Sequence, residues 1–251
     1  MTDRRTVLIS GASGGVGRGI AIACGSAGWE VWIAARREAE GTAVADEVRA
    51  AGGIGRYVEC DVGDGDSVAA VVAQVNEVSG QLHGLVHNAT SAYSSQPKSL
   101  ADSSMVEFED HIRVNLRGLY LLATACFDLL SISRGSLVVL TSEAGFEGKP
   151  VMGMYAMAKA AQRGLAGVLA REWGPVGIRV NCVAPLATSP AMERYMADPV
   201  KSAQVLRRIP ISRLGDPVQD IGPVVRFLIS EESSFVTGQT IMIDGGSCPI
   251  T

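Results

Sequence analysis

The chain passes from a short apolar run into an amphipathic segment through Ser10-Gly-Ala-Ser-Gly-Gly-Val-Gly17. Glycines at positions 11, 15 and 17 let the backbone turn sharply and approach a diphosphate closely. The free N–H groups at the first turn of a following helix would stabilise the charge of such a ligand. The common G-x-G-x-x-G pattern fails because its third glycine would fall at Ile20, and no P-loop Lys-Ser/Thr pair follows. The stretch therefore predicts a phosphate-binding turn whose glycine spacing matches neither of these two patterns.

Short β-branched runs and longer amphipathic stretches alternate on both sides of this turn. The pattern predicts helices over 17–27, 39–51, 66–79, 105–130, 155–172 and 218–230. It predicts strands over 6–10, 30–34, 55–60, 82–87, 136–141, 178–183 and 240–243. Such alternation indicates βαβ units, so we expect an α/β fold with a doubly wound, seven-stranded parallel sheet and helices on both faces. Residues 1–251 are expected to form one domain. The long irregular region at 184–214 would contain a substrate lid at 186–212.

Composition narrows the classes of partner. Of 251 residues, 47% are hydrophobic and 19% are charged, which is enough apolar material for one large core. The formal net charge of −4 argues against a nucleic-acid partner. No apolar run is long enough to span a membrane, and no apolar segment of a signal peptide follows the start. We therefore expect a cytoplasmic protein. The cysteines are odd in number and scattered singly, which predicts neither disulfides nor a metal site: Cys24, Cys60, Cys126, Cys182 and Cys248.

Tyr155 and Lys159 are four residues apart, which places both on one face of a predicted helix. A tyrosine is a poor acid or base near neutral pH, because its ordinary pKa is about 10. A lysine ammonium one turn away would favour the phenolate and lower that pKa. The pair is therefore a candidate acid/base site, whereas two solvated surface side chains are the simpler alternative.

A serine hydrolase is a separate alternative. Gly11, Ser13 and Gly15 match the G-x-S-x-G pattern of a nucleophile elbow. That site also needs an acid and then a histidine later in the chain, and no histidine follows His111. The elbow also needs an oxyanion loop from an earlier strand, and only one strand precedes Ser13. The hydrolase is therefore disfavoured.

Together these features resemble the short-chain dehydrogenase/reductase family in its single-domain form of about 250 residues, with a Rossmann-like fold. The resemblance covers nearly the whole chain. Its matching segments are Ser10–Gly17, Asp61-Val62, Asn88-Ala89, Asn115, Ser142, the Y-x-x-x-K motif at Tyr155 and Lys159, Asn181 to Pro185, Arg213-Leu-Gly, and Val236-Thr-Gly-Gln to Ile243-Asp-Gly-Gly246.

The resemblance implies roles for individual residues. Tyr155 would be the general acid/base for the substrate oxygen, and Ser142 would hydrogen-bond that oxygen. Lys159 would lower the pKa of Tyr155 and hold the nicotinamide ribose, while Asn115 would position a water of the proton relay. The nicotinamide would carry the hydride. The implied cofactor-binding residues are Gly11, Ser13, Gly14, Gly15, Val16, Gly17, Asp61, Val62, Asn88, Ala89, Tyr155, Lys159, Pro185 and Thr188.

The second predicted strand favours one of the two nicotinamide cofactors. In dinucleotide-binding folds, an acid about 20 residues beyond the glycines binds the ribose 2′-OH of NAD, whereas an arginine accommodates the 2′-phosphate of NADP. Here Ala35 occupies the position of the acid, and Arg36 and Arg37 follow it directly. The sequence therefore predicts NADP(H) rather than NAD(H), with Arg36 contributing more than Arg37.

Three residues depart from the family pattern. Thr90 replaces a glycine, Leu186 replaces the glycine of a Pro-Gly pair, and Pro190 falls where a threonine is usual. Thr188 could replace that threonine in part. These departures leave open whether substrate or cofactor contacts differ.

The substrate class is left open between a 3-oxoacyl thioester, a steroid-like ketone and a small cyclic ketone. An apolar or mixed pocket is expected from Phe146, Val151, Met154, Leu186, Met192, Tyr195 and Met196. A cofactor-binding sensor or scaffold without turnover is the alternative function. Small residues along 155–172, together with the family resemblance, predict a homo-oligomer, either a dimer or a D₂ homotetramer.

Overall fold

The computed structural model describes residues 4–248, which contain seven parallel strands in the order β3-β2-β1-β4-β5-β6-β7. Each strand lies within two residues of its predicted bounds, so the predicted sheet is confirmed. The buried strands read as continuous apolar runs because helices cover both faces. The strands are β1 Thr6–Ser10, β2 Glu30–Ala35, β3 Ile54–Glu59, β4 Gly84–His87, β5 Ser136–Leu140, β6 Arg179–Pro185 and β7 Thr240–Ile243.

Helices connect successive strands. Two π-helical segments, Ile112–Arg117 and Pro217–Ile221, lie between or before regular helices. The α-helices are α1 Gly15–Gly25, α2 Glu38–Ala50, α3 Gly65–Ser79, α4 Met105–His111, α5 Gly118–Ala125, α6 Phe127–Ser133, α7 Ala144–Glu147, α8 Gly153–Trp173, α9 Pro190–Met196, α10 Pro199–Arg208 and α11 Gly222–Ile229.

The predicted helix at 105–130 is interrupted rather than continuous. The π-helical segment Ile112–Arg117 joins α4 to α5, and the chain breaks at Cys126 before α6. Hydrophobic spacing cannot reveal the extra residue of a π-turn, because the apolar pattern continues on both sides of it. Within residues 4–248, no single helix is long and apolar enough to cross a membrane. Only Met105–Ala125 with Phe127–Ser133 has the length and composition, and that pair is bent by 54°.

The prediction of an irregular region over 184–214 was wrong, because α9 and α10 lie within it. The Ser189 hydroxyl accepts a hydrogen bond from the Met192 N–H at 3.1 Å, and a proline follows Ser189 at the first helical position. Asp198 caps α10 in the same way, with Pro199 at the first position. A capping residue followed by proline is a helix-start signal.

The core consists of two apolar layers, one on each face of the sheet. One layer packs β-strand side chains such as Leu85 and Leu137 against α3, α5, α6 and α8. The other packs Ile9 and its neighbours against α1, α2 and α11. The direction of winding reverses between β1 and β4, which lie side by side in the sheet. A crevice at the carboxyl ends of the strands is expected at such a switch point, and it is where doubly wound folds bind ligands.

Candidate active site

The glycine-rich turn after β1 is packed against the end of β4. Gly11 has φ +67°, and a Cβ there would lie 2.7 Å from the Cα of Ala89. A Cβ on Gly17 would lie 2.5 Å from the Nδ2 of Asn88. The Asn88 carboxamide donates hydrogen bonds to the Gly11 carbonyl at 2.9 Å and the Ser10 carbonyl at 3.2 Å. These close approaches explain why glycine is required at positions 11 and 17.

The middle of the same turn is open, unlike its ends. A Cβ on Gly14 or Gly15 would meet no atom closer than 3.8 Å. No side chain caps α1, which begins at Gly15 and continues through Val16 and Gly17. The first N–H groups of a helix need acceptors from outside the helix. An open turn with uncapped N–H groups fits the diphosphate of a dinucleotide.

The two arginines after β2 have different surroundings. Arg37 donates to the Ser13 hydroxyl at 3.1 Å and to the Glu40 carboxylate at 2.9 Å, so it reaches the glycine-rich turn. Arg36 is exposed and has no side-chain hydrogen bond or ion pair with any of residues 4–248. Ala35, which ends β2, carries no carboxylate. The arrangement leaves two guanidinium groups near the turn and no carboxylate at the end of β2. The bond from Arg37 to Ser13 also gives no support to the hydrolase alternative, which needs a histidine there.

Asp61 and Val62 follow β3 at the same edge of the sheet. Both carboxylate oxygens of Asp61 accept from Arg113, at 3.0 and 2.9 Å, and one also accepts from the Gly63 N–H. Burial alone would raise the pKa of Asp61, but these hydrogen bonds and the positive charge of Arg113 lower it overall. Val62 is buried against Gly118. Asp61 is thus a fixed, charged group at the rim of the crevice.

Tyr155 and Ser142 lie together beyond the end of β5. Ser142 follows that strand by two residues, and Tyr155 lies in the first turn of α8. Burial raises the pKa of Tyr155, and the negative charge of Glu143 adds to the rise. Hydrogen bonding from the neighbouring Ser142 hydroxyl opposes it. The phenol therefore stays protonated well into the basic range in the protein alone.

Lys159 lies one turn further along α8 and is buried. Its ammonium donates to the Leu140 carbonyl at 2.6 Å and is 5.6 Å from the centroid of the Tyr155 ring. Burial lowers the pKa of Lys159 to about 7. Burial is the largest influence on the pKa of both groups, and the effect of Lys159 on the pKa of Tyr155 stays a prediction.

Asn115 lies inside the π-helical segment and is fully buried. Its Nδ2 donates to the main-chain carbonyl of His111 at 3.1 Å, and its Oδ1 accepts from the Thr90 hydroxyl at 3.0 Å. Its main-chain carbonyl accepts from the side chain of Gln162 at 2.9 Å. Sequence reasoning marked Thr90 only as a departure and missed Gln162. Both contacts join residues far apart in the chain, so spacing carries no signal for them.

The segment after β6 is held by main-chain hydrogen bonds. Leu186 donates to the Ile243 carbonyl at 3.0 Å, and Thr188 donates to the Gly215 carbonyl at 2.9 Å. Pro185 ends β6, and Pro190 begins α9. The departures at Leu186 and Pro190 are thus part of regular local structure that borders the crevice.

A cavity that is open to solvent lies in front of Tyr155. Val151 and Met154 line it as predicted, but the other five expected pocket residues do not. Its remaining wall is largely polar, and sequence reasoning missed that wall because it comes from the loop after β4 and from α4. The lining residues are Tyr93, Ser94, Gln96, Lys98, Ser103, Glu107, His111, Val151, Met152, Gly153, Met154 and Tyr155.

The site combines two features: an uncapped glycine-rich turn at the switch point of a doubly wound sheet, and a tyrosine with serine and lysine beside it. This combination is typical of a dinucleotide-dependent oxidoreductase. A family model described as enoyl-(acyl carrier protein) reductase matches residues 11–248. A short-chain type dehydrogenase/reductase from Mycobacterium ulcerans superposes with a TM-score of 0.92 at 28% identity, covering 97% of this chain and 90% of that chain. A xylitol dehydrogenase solved with NAD⁺ superposes with a TM-score of 0.90 at 27% identity, over 98% of this chain and 100% of that chain.

Two curated relatives agree with these matches. A 3-oxoacyl-[acyl-carrier-protein] reductase of Staphylococcus aureus is 33% identical, over 98% of this chain and 99% of its own length. A 2,5-dichloro-2,5-cyclohexadiene-1,4-diol dehydrogenase of Sphingobium indicum is also 33% identical, over 96% of both chains. The chain belongs to the short-chain dehydrogenase/reductase family, whose members are oxidoreductases that use nicotinamide cofactors. The family resemblance predicted from the sequence is therefore confirmed.

Proposed function

We propose that the protein is an NADP(H)-dependent oxidoreductase that interconverts a ketone and a secondary alcohol. The observation that carries the proposal is the position of Tyr155, with the Ser142 hydroxyl and the Lys159 ammonium beside it, on the wall of an open cavity. In the direction of reduction, the carbonyl carbon gains a hydride and its oxygen gains a proton. The nicotinamide, when bound, supplies that hydride and becomes oxidised.

Tyr155 supplies the proton in this proposal. Its raised pKa keeps the phenol protonated, which is the form needed to reduce a ketone. Ser142 donates a hydrogen bond to the same substrate oxygen. Lys159 donates an N–H hydrogen bond to the nicotinamide ribose, and its protonated form stabilises the phenolate after proton transfer. Asn115 positions a water through which the proton is replaced.

The glycine-rich turn and the arginines would hold the cofactor. Residues Gly11 to Gly17 would bind the diphosphate, and Asn88-Ala89 and Asp61-Val62 would border the adenosine half. Pro185 and Thr188 would contact the nicotinamide. The missing acid at Ala35, with Arg36 and Arg37 beside the turn, supports NADP(H) over NAD(H). Arg36 would bind the 2′-phosphate more strongly, since Arg37 already contacts Glu40 and Ser13.

The cofactor proposal is tested by Arg36→Ala. A charge-assisted hydrogen bond contributes roughly 1.5–3 kcal/mol, so the ratio of kcat/KM with NADPH to that with NADH should fall about 10- to 150-fold. Arg49→Ala is the matched control, because Arg49 is a surface arginine on α2 that pairs with Asp46. A wild-type preference for NADH, or an unchanged ratio in Arg36→Ala, would show that the proposal is wrong.

The reaction is tested with a panel of 3-oxoacyl thioesters, steroid ketones and small cyclic ketones, followed by absorbance at 340 nm. Turnover of any of these ketones with NADPH supports the oxidoreductase. Tight binding of NADPH with no turnover of any member would favour the cofactor-binding sensor instead. The intact group of Tyr155, Ser142 and Lys159 argues for turnover, since binding alone needs no acid/base pair.

We also propose a homo-oligomer formed through α8 and α5, either a dimer or a D₂ tetramer. Gly164 and Gly167 of α8 have no atom within 4 Å of a Cβ position, so the helix surface there is open to close approach. Val168 on α8 and Tyr120 on α5 each leave about half of their surface exposed. Burying such residues against a second copy would stabilise a two-fold interface.

A further inference from the structure

The cavity in front of Tyr155 has a buried imidazole in its wall. His111 is the last residue of α4 and is only 2% exposed, yet it borders the cavity. Transfer of a hydride and a proton to a simple ketone uses Tyr155 and Ser142 and does not require this imidazole. A ring N–H that borders an open cavity and has no acceptor in the protein is available to a ligand in that cavity.

The hydrogen bonds around His111 determine which of its ring nitrogens carries the proton. The Asn115 Nδ2 must face the His111 main-chain carbonyl, because a carbonyl only accepts. The same Nδ2 lies 3.4 Å from the His111 Nδ1, which is therefore the acceptor. The proton of the neutral ring then lies on Nε2. No group among residues 4–248 accepts a hydrogen bond from that Nε2.

Thr90 fixes this arrangement from the other side. Its hydroxyl has one proton, which it donates to the Oδ1 of Asn115 at 3.0 Å. The Ser94 hydroxyl, 2.7 Å from Thr90, must then be the donor of that contact. A chain of hydrogen bonds thus runs from Ser94 through Thr90 and Asn115 to His111. A glycine at position 90 would remove its central hydroxyl.

The imidazole stays neutral at physiological pH. Burial lowers the pKa of His111 and the positive charge of Lys159 lowers it further, while the carboxylates of Asp110 and Glu107 oppose both effects. Three other polar side chains of this wall already have partners. Lys98 and Glu107 form an ion pair at 3.0 Å, and the Ser103 hydroxyl donates to the Ser99 carbonyl at 2.9 Å.

We propose that His111 is a specificity-determining residue, whose Nε2–H donates a hydrogen bond to a second oxygen of the substrate. This inference rests on the proposed function and names its substrate class. The enzyme would interconvert hydroxylated ketones and the corresponding diols in preference to ketones with no other oxygen. A site built to hydrogen-bond a substrate oxygen discriminates against the analogue that lacks it, because the buried donor is then left unpaired.

The test compares cyclohexanone with 2-, 3- and 4-hydroxycyclohexanone at saturating NADPH. These substrates share one ring, so the ratio of their kcat/KM values isolates the second oxygen. Wild type should prefer at least one hydroxyketone over cyclohexanone. His111→Phe should lower that ratio about 3- to 10-fold, and His111→Gln, which keeps an N–H donor, should lower it less. Met105→Leu, an apolar change at an exposed position of α4 outside the cavity, should leave the ratio unchanged.

Variants of Thr90 test the hydrogen-bond chain separately. Thr90→Gly should lower the same ratio, whereas Thr90→Ser, which keeps the hydroxyl, should retain it. Long-range ¹H–¹⁵N spectra of the imidazoles should show the Nε2–H tautomer for His111, assigned by its loss in His111→Phe. Circular dichroism and NADPH binding confirm that each variant is folded.

The outcomes separate this inference from the proposed function. Turnover with a ratio that does not change in His111→Phe overturns the role of His111 and leaves the oxidoreductase intact. An Nδ1–H tautomer overturns it as well. Absence of turnover of every ketone tested here and in the wider panel overturns the proposed function, and the role of His111 with it.

Discussion

Replacing Lys159 by methionine should remove a pH dependence of stability that the wild-type protein shows between pH 7 and 9. Burial lowers the pKa of Lys159 to about 7 in the folded protein, from an ordinary value of 10.5. Between these values the unfolded chain binds a proton that the native state has lost, so the free energy of unfolding rises with pH. Each pH unit contributes about 1.4 kcal/mol. The rise from pH 7 to 9 is therefore about 2–3 kcal/mol.

Other buried groups also make the stability depend on pH. Burial lowers the pKa of His87 to about 3, so its contribution changes only below its ordinary value of 6.5. Burial also raises the pKa values of the Cys24 and Cys126 thiols to about 12, and of the Cys60 and Cys182 thiols to about 11, from 9.0. These thiols lower the stability as the pH approaches 9, because the unfolded thiols then ionise. Wild type and Lys159→Met share the thiols, so the difference between the two proteins from pH 7 to 9 isolates Lys159.

The assay is urea denaturation at pH 7, 8 and 9, with a reductant, fixed ionic strength and fixed protein concentration. Fixed concentration matters because assembly would also stabilise the folded state. From pH 7 to 9, wild type should gain about 2–3 kcal/mol more than Lys159→Met does. Lys149→Met is the control, because Lys149 is partly exposed in its pair with Glu143 and should leave the gain intact. An equal gain in Lys159→Met and wild type would refute the reasoning.

Two further predictions concern turnover and assembly. Tyr155→Phe removes the transferable proton but keeps the ring, so NADPH binding should survive while kcat falls by about 10²–10⁴-fold or more; retention of over about a tenth of the wild-type kcat would contradict the role of Tyr155. Light scattering at micromolar concentration should give a mass of two or four chains, and a mass near 26.2 kDa would contradict the proposed oligomer.

The sheet could be predicted from sequence because each strand carries its own local signal. In β5, apolar residues such as Val138 and Val139 form an uninterrupted run, as expected for a strand covered on both faces. Turn glycines such as Gly11 mark where the chain leaves a strand. The family motifs then pointed to Ser142, two residues after β5, and to Tyr155 and Lys159, one turn apart on α8.

Two local signals in the sequence were overlooked. Ser189-Pro190 and Asp198-Pro199 each combine a capping side chain with proline at the first helical position, which is enough to predict α9 and α10. These helices have only seven and ten residues, so hydrophobic spacing carries little signal over them.

Other features could not be read from the sequence in principle. The contact of Thr90 with Asn115 joins residues 25 positions apart, and it depends on how β4 and α4 pack together. The pKa of Tyr155 depends on its burial, which the spacing of Tyr155 and Lys159 does not encode. The spacing of Tyr155 and Lys159 predicts that the two side chains lie close together. Their protonation states depend on how far the rest of the fold shields them from water.

The π-helical segment Ile112–Arg117 has a consequence for changes in chain length. A regular helix advances by about 100° per residue, so the one additional residue of a π-turn rotates everything that follows it by about that angle. This offset lets His111 border the cavity while Leu119 and Leu122, further along, lie fully buried against the sheet. Deleting a single residue here would restore an unbroken α-helix and swing both leucines away from the core. The π-helical segment therefore sets the rotation of α5 about the helix axis relative to α4. This part of the chain should tolerate substitutions far better than deletions.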